Sequence, residues 1–465
     1  MKPSIRVSRL HFIGIGGSGM SVLAEVLASW GFRISGSDGQ DGETLKRLKG
    51  LGMRIEVGHR AANVGEANAV VYSSAVPQDN PELVEARKRG IPAVKRAVML
   101  GEALNGKYPL AVSGTHGKTT TTTMLGRIWL HAGKEPTLLA GGTARGENLS
   151  AVAGQGQVVI VEADEYDRSF LAMRPAAAII GNIDSDHLDI YGTVEAVRDA
   201  FVAFAEGMPF YGLVVANRDD EGVRSILPRL TRRVVTYGRS PEADYRATGI
   251  RLEGQGMAFT VERRGSRLGD LVLKVPGIHN VYNALGAAVL SLEEGLAFKE
   301  VERGLRDYPG VKRRLEFRGQ KNGVTFFDDY AHHPTEVAAT LQAARALTTD
   351  RPGEQGRLIA VFQPHLYSRT RQLHKEFAQA FQACDELFVT RVYAAREMPI
   401  PGVEGDLIAN EAVNGVLPAA KVHYVSDLEQ LPKLVASKLR DGDLVVTMGA
   451  GDINQRCGDI MEAWA

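Results

Sequence analysis

The run Ser113-Gly114-Thr115-His116-Gly117-Lys118-Thr119-Thr120 places glycines, one lysine and adjacent hydroxyls directly after the apolar stretch Tyr108–Val112. Glycines let backbone N–H groups converge on an anion, a lysine adds a point charge, and the next hydroxyl can sit on a divalent cation. This is the chemistry of a P-loop cradling the β- and γ-phosphates of a nucleoside triphosphate. The loop is shorter than the usual G-x-x-x-x-G-K-[ST], because Val112 stands where the first glycine would be, leaving Gly114 and Gly117 as the loop glycines. A triphosphate needs a cation, and the apolar run Val158–Val161 ends in Glu162-Ala163-Asp164-Glu165-Tyr166-Asp167. These carboxylates would repel a phosphate unless Mg2+ stood between, so Glu162 is expected to hold metal beside Thr119. The next apolar run leads into Gly181-Asn182-Ile183-Asp184-Ser185-Asp186-His187, with His187 as an expected ligand of a second metal or of its water.

A second glycine loop, Gly14-Ile15-Gly16-Gly17-Ser18-Gly19, precedes a helical pattern and, after a further strand, Asp38. Here the backbone can approach a diphosphate at a helix N-terminus while the acid meets a ribose. The physics asks for a diphosphate rather than for nicotinamide, and a UDP group satisfies it as well as NAD does. His279-Asn280-Val281-Tyr282-Asn283 begins another helix, where two amides at i and i+3 share a face. Asn280 reads either as a helix cap or, with Asn283, as a contact to an adenine edge. Lys312-Arg313-Arg314 reads either as a solvated charge run or as a source of an arginine that completes a phosphate clamp on closure. Further along, Asp328-Asp329-Tyr330-Ala331-His332-His333-Pro334, Gln363–Thr370 and Gly449-Ala450-Gly451-Asp452 each follow an apolar run. Polar groups at the carboxyl ends of strands are where open α/β sheets bind ligands. The His332-His333 pair has no nearby cysteine and no H-E-x-x-H spacing, so no zinc site is expected there.

The elements that must position these groups are short β-branched runs alternating with helical periods, the pattern of α/β domains with mostly parallel sheets. Expected strands are Arg9–Ile15, Val70–Tyr72, Tyr108–Val112, Val158–Val161, Ala177–Ile180, Leu213–Val215, Val324–Phe327, Leu358–Phe362, Glu386–Val389 and Leu444–Thr447. Between Tyr245 and Val275 the pattern alternates like antiparallel strands, and a helix is expected over Met20–Trp30. The 465 residues suggest about three domains, divided as 1–106, 107–310 and 311–465. With 55 basic and 55 acidic residues the formal net charge is zero, so nothing global attracts nucleic acid or an anionic membrane. Cys384 and Cys457 are expected as buried small hydrophobes in a reducing compartment. No signal peptide or membrane-spanning run is present, which reads as a cytoplasmic protein with no stable membrane association.

Taken together, Gly16–Ser21, Gly114–Thr120, Glu162–Asp167, Asn182–His187, His279–Asn283, Asp328–Pro334 and Gln363–Thr370 resemble the Mur ligases across the whole chain. The resemblance implies an N-terminal Rossmann-like domain for the UDP-substrate, a central P-loop-type ATPase domain and a C-terminal Rossmann-like domain admitting the amino acid. It implies ATP and Mg2+, with UDP-N-acetylmuramate and L-alanine as substrates joined through an acyl phosphate. Transferred residue by residue, Gly114, Thr115, His116, Gly117, Lys118, Thr119, Thr120, Asn280, Asn283 and Arg314 would bind ATP. Thr119, Glu162 and His187 would hold metal, and Lys118, Glu162, His187, Arg314 and Asp329 would serve the chemistry. Gly14, Gly16, Gly17, Gly19, Met20, Ser21, Asp38, Ser73 and Ser74 would face the UDP-substrate, and Tyr330, His332 and Arg369 the amino-acid end. Tyr166, Leu366 and Arg396 depart from the family pattern, and Tyr166 resembles the sister that attaches a recycled tripeptide. Other sisters use a carboxylated lysine between metals, whereas no lysine occurs between Lys134 and Lys274. Outside the ligases, a P-loop regulatory protein or a nicotinamide dehydrogenase would use one glycine loop and leave the other unexplained. A monomer or homodimer is expected.

Overall fold

A computed structural model describes residues 7–142, 144–145, 151–186, 188–349, 356–395 and 397–464. These residues form three sheets flanked by helices, a three-domain α/β fold with mostly parallel strands.

The first sheet is parallel throughout, in the order Arg54–Val57, Arg33–Asp38, Arg9–Ile13, Ala69–Tyr72, Ala93–Lys95. Its first strand ends at Ile13 rather than Ile15, because Gly14 turns the chain with φ +77°, a conformation glycine adopts without Cβ strain. The helix that follows runs Ser18–Ser29. Leu10 and Phe12 pack with Leu23 and Leu27 of that helix, whereas Ile13 and Val70 belong to the core on the other face. The strand order reverses between Arg9–Ile13 and Ala69–Tyr72. The glycine loop and Ser73-Ser74 therefore flank the crevice at which open α/β sheets take ligands; a Cβ on Gly14 would lie 3.5 Å from Ser73 Cβ.

In the second sheet the parallel strands Leu213–Asn217, Ala177–Ile180, Tyr108–Ser113 and Val158–Glu162 lie side by side. They are apolar runs because both faces are covered. Arg233–Gly238 extends this sheet, followed by Tyr245–Glu253, Gly256–Arg263 and Ser266–Leu273. The last three are joined by two-residue turns that only antiparallel neighbours allow, as the alternation between Tyr245 and Val275 requires. Short strands Thr137–Leu139 and Ala151–Val152 complete the opposite edge.

The third sheet runs Glu316–Lys321, Val324–Asp329, Leu444–Met448, Leu358–Phe362, Glu386–Thr390, Val422–Val425, antiparallel only at the first pair. Cys384 and Cys457 are buried and free, and burial pushes their thiols up to about 12 and about 11.

The chain packs as two compact units. One contains the first two sheets to Ile250 with Phe259–Val272 and Tyr282–Pro309; the other contains Arg251–Ala258, Leu273–Val281 and the chain from Gly310.

Candidate active site

The Tyr108–Ser113 strand lies between Val158–Glu162 and Ala177–Ile180, so the loop after it opens between the carboxylate cluster and Asn182. Two glycines shape that loop. Gly114 has φ +140°, and a Cβ there would come within 3.1–3.3 Å of the backbone of Gly181 and Asn182. Gly117 has φ +77°, and its Cβ would lie 2.6 Å from Asn283 Oδ1. Asn182 clamps the loop from the neighbouring strand end, accepting from His116 N at 2.7 Å and donating to His116 O at 3.0 Å. His116 Nε2 lies 3.0 Å from Asp184 Oδ2, and Asp184 N donates to Thr115 Oγ1 at 2.9 Å. Thr120 is buried at the start of the helix Lys118–His131, where Tyr308 Oη approaches its carbonyl at 3.4 Å and Thr123 Oγ1 at 2.6 Å.

Lys118 Nζ donates to Gly114 O, Thr115 O and Glu165 Oε2 at 2.9, 3.1 and 2.8 Å, with Asp164 Oδ1 at 3.5 Å. Burial alone would lower its pKa; the carboxylates of Glu165 and Asp164 outweigh that and hold the ammonium above the ordinary lysine range. Burial raises the Glu165 carboxyl to about 7, against the pull of Lys118. Thr119 Oγ1 donates to Glu162 at 3.0–3.2 Å, and Gly141 N reaches Glu162 Oε2 at 2.7 Å. Burial also raises Glu162, opposed by Lys118 and by the Gly141 N–H. A half-buried carboxylate and a loop hydroxyl facing each other are the hard oxygen donors that Mg2+ takes. His187 lies outside the described residues.

Around the first glycine loop, Gly16 N donates to Asp38 Oδ2 at 2.8 Å, so this acid ties down its own loop. Gly17 is the residue before the helix, and a Cβ on Gly19 would meet the Arg96 guanidinium at 2.9 Å. Met20 and Ser21 are buried, Met20 within the apolar core, and Ser21 Oγ donates to Ser18 O. Ser73 Oγ accepts from Ala75 N, while Ser74 Oγ donates to Asp167 at 2.8 Å, as does Lys95 Nζ. These bonds join the first sheet to the carboxylate segment, in which Asp167 and Arg168 have φ +54° and +55° and Tyr166 is half-buried.

Asn280 is no N-cap. The helix already spans Ile278–Glu293, and the buried Asn280 donates through Nδ2 to Pro276 O at 2.7 Å.

In the second unit, Asp329 accepts from Leu315 N and Ala331 N at 2.6 and 2.7 Å, and burial lifts its carboxyl to about 6 against the nearby Arg314. Arg314 reaches Glu336 at 3.4 Å, and its guanidinium lies 5.6 Å from the Tyr330 ring, which Arg313 covers at 4.8 Å. His332 donates from Nδ1 to Tyr330 O at 2.9 Å; burial pushes its pKa down, with a further push from Arg369. His332 and Tyr393 flank the His365 ring, each with centroids 5.8 Å from it. Leu366 takes φ +72° immediately before the helix Tyr367–Ala380 that carries Arg369. The three loops meet, with Gly449 N donating to Asp329 O and Gln363 Nε2 to Asp452. Arg396 lies outside the described residues.

Asn182, Gly141 and Tyr308 support the loop although no local spacing points to them. Each acts across the sheet, and only the strand order brings them in. Gly117→Ala tests how tightly this cradle is built. A left-handed alanine costs about 1–2 kcal/mol, and its methyl must displace Asn283. The KM for ATP is expected to rise at least about tenfold, and an unchanged value in steady-state kinetics would count against the cradle.

A glycine-cradled lysine next to a carboxylate-bearing strand end, in a chain that also carries a diphosphate-type loop on its first sheet and polar-lined strand ends on its third, defines a nucleotide-dependent enzyme of three α/β domains. Residues 9–108, 112–291 and 313–451 match in order the family models described as "Mur ligase family, catalytic domain", "Mur ligase middle domain" and "Mur ligase, glutamate ligase domain". The chain belongs to the Mur ligase family. It is 44% identical to a UDP-N-acetylmuramate–L-alanine ligase of Trichlorobacter lovleyi and 47% to one of Solidesulfovibrio magneticus, each over 97% of both chains. Among solved structures, a UDP-N-acetylmuramate-alanine ligase from Thermotoga maritima superposes with TM-score 0.82 at 31% identity, covering 98% of this chain and 99% of that one. A murein peptide ligase from Psychrobacter arcticus gives 0.71 at 25%, covering 98% of each.

Proposed function

We propose that this chain joins L-alanine to UDP-N-acetylmuramate at the expense of ATP, giving UDP-N-acetylmuramoyl-L-alanine, ADP and phosphate for peptidoglycan synthesis. The observation that carries the reading is the Lys118–Glu165 and Thr119–Glu162 arrangement at the loop, set in a chain whose curated relatives of this identity are L-alanine ligases over their whole length. We assign 1–106 to the UDP-substrate, 107–310 to ATP and 311–465 to the amino acid.

A carboxylate is a poor electrophile, so it must be activated. A muramoyl carboxylate oxygen attacks the γ-phosphorus and ADP leaves, forming an acyl phosphate. The neutral amine of L-alanine then attacks the acyl carbon, phosphate departs with the C–O electrons, and the amine proton goes to solvent or a neighbouring base. Lys118 and the loop N–H groups hold the phosphates in line and stabilise charge on the equatorial oxygens. Thr119 and Glu162 would hold Mg2+, which supplies charge neutralisation when bound; His187 is assigned to a second metal. Asn280 and Asn283 are assigned to the adenine, Arg314 and Asp329 to the transferring phosphoryl group. Tyr330, His332 and Arg369 are assigned to the muramoyl and amino-acid end, where an arginine fork can grip the alanine carboxylate.

Among the described residues no helix is long and apolar enough to cross a membrane; we place the reaction in the cytoplasm, where nucleotide substrates are held. Phosphate release from ATP is expected to require UDP-N-acetylmuramate and L-alanine together. Unconditional hydrolysis would point to a P-loop regulator, and faster turnover with the tripeptide than with L-alanine would move the chain to the recycling branch.

A further inference from the structure

None of these steps uses the buried polar cluster of the first sheet. Glu82, fully buried in the helix Pro81–Lys88, accepts through Oε2 from His11 Nε2 at 3.2 Å and Ser37 Oγ at 2.5 Å. Through Oε1 it accepts from Asn63 Nδ2 at 2.6 Å and Arg60 N at 3.1 Å. Asn63 Nδ2 also donates to Gly58 O at 3.0 Å, so one carboxylate pins both sides of the segment 58–63.

His59 sits in that segment, a quarter exposed, with Nδ1 3.0 Å from Ser37 Oγ. Ser37 has a single hydroxyl proton and gives it to Glu82. Its bond to His59 can then exist only if Nδ1–H is the donor. In the neutral ring this leaves Nε2 as an acceptor. Nε2 points toward the end of the strand Arg33–Asp38, where a Cβ on Gly39 would lie 3.9 Å away. The adjoining Asp38 is the residue hydrogen-bonded to the glycine loop. In a doubly wound sheet the nucleoside of a bound diphosphate runs from that loop across the ends of the neighbouring strands, with an acid after the second strand at the ribose. The base then falls beside the turn that follows the third strand, Arg54–Val57, and His59 is the second residue of that turn, after Gly58.

We infer that His59 reads the base, with Glu82 and Ser37 as positioning residues that fix its ring as the Nδ1–H tautomer so that Nε2 accepts the imide N–H of a uracil. Cytosine has no proton at that ring nitrogen and presents a lone pair to a lone pair. The inference rests on the UDP-substrate reading above and adds what selects the base.

The test is inhibition of the full-length enzyme by UDP and by CDP, each in competition with UDP-N-acetylmuramate. The wild type is expected to prefer UDP by about tenfold or more, because leaving a site acceptor unpaired is penalised. In His59→Leu, which alters a partly exposed side chain, the ratio is expected to fall to within about threefold with the KM for ATP unchanged. His59→Gln, whose amide oxygen can accept, should restore part of the preference. Nitrogen-15 NMR of histidine-labelled enzyme should show His59 protonated at Nδ1, and Ser37→Ala or Glu82→Gln should convert it to a mixture of tautomers. An unchanged ratio in His59→Leu with UDP still inhibiting, or a wild-type ring protonated at Nε2, overturns the role of His59 alone. Inhibition by neither nucleotide overturns the UDP-substrate reading and this inference with it.

Discussion

Lys118→Met is expected to lower turnover at least about 10³-fold, the scale seen when a preorganised charge on a transferring group is removed. Lys118 is the only cation bonded to the loop carbonyls of Gly114 and Thr115 among the described contacts, and its three hydrogen bonds hold the ammonium on the loop. The ammonium is held protonated by Glu165 and Asp164, so the effect should be the same across the working pH range rather than following a lysine titration. Folding should survive, because the partner left behind adjusts. Burial already holds Glu165 at about 7, and without the opposing pull of Lys118 it takes up a proton at neutral pH instead of leaving a buried charge. Lys118→Arg keeps the charge but moves its donors outward and should recover little. Turnover of the Met variant within tenfold of wild type, with matching thermal melts, would remove Lys118 from the phosphate site.

That loop was legible in the sequence because its chemistry is local: glycines with positive φ, a lysine and a hydroxyl in consecutive positions after a fully buried strand. The fully buried strands were legible for the same reason, since Val158–Val161 and Leu358–Phe362 read as continuous apolar runs. Arg233–Gly238 was not singled out, because its polar ends hide the buried Val235 and Tyr237 between them. The short edges Thr137–Leu139 and Ala151–Val152 carry too few residues to show a period. Site residues failed where their partner is distant in sequence: Asn182 meets His116 across 66 positions and Gly141 meets Glu162 across 21, and no spacing rule joins them. Met20 and Ser21 are buried in the first helical turn, and adjacency to a glycine loop does not tell which residues of that turn face the sheet. Glu82 was invisible for another reason. After Asn80 and Pro81 it reads as an ordinary first-turn acid, and Asn80 does cap its N–H at 2.9 Å, but its carboxylate folds inward.

That inward carboxylate should make the first sheet acid-sensitive. Burial alone would raise the Glu82 pKa, but the hydrogen bonds from His11, Ser37 and Asn63 outweigh it and bring the value down from 4.5 to about 2. A folded pKa below the unfolded one means that the stabilisation is fully present above the unfolded value and is lost as pH falls through the folded one. The window is therefore pH 4.5 down to about 2, and the difference corresponds to roughly 3 kcal/mol. Glu82→Leu removes that term at every pH and also strands the donors of His11, Ser37, Asn63 and the Arg60 N–H in the core. The cost at pH 7 is expected to be about 3–5 kcal/mol. Hydrogen exchange of the Arg9–Ile13 and Arg33–Asp38 amides isolates this sheet from the rest of the chain, where a single melting temperature would not. Protection in the wild type should fall between pH 4.5 and 2, and the gap between wild type and Glu82→Leu should narrow over the same interval. A gap that stays constant to pH 2 would mean that Glu82 is not held ionised by its four donors, and a gap below about 1 kcal/mol at pH 7 would mean that those donors find other partners.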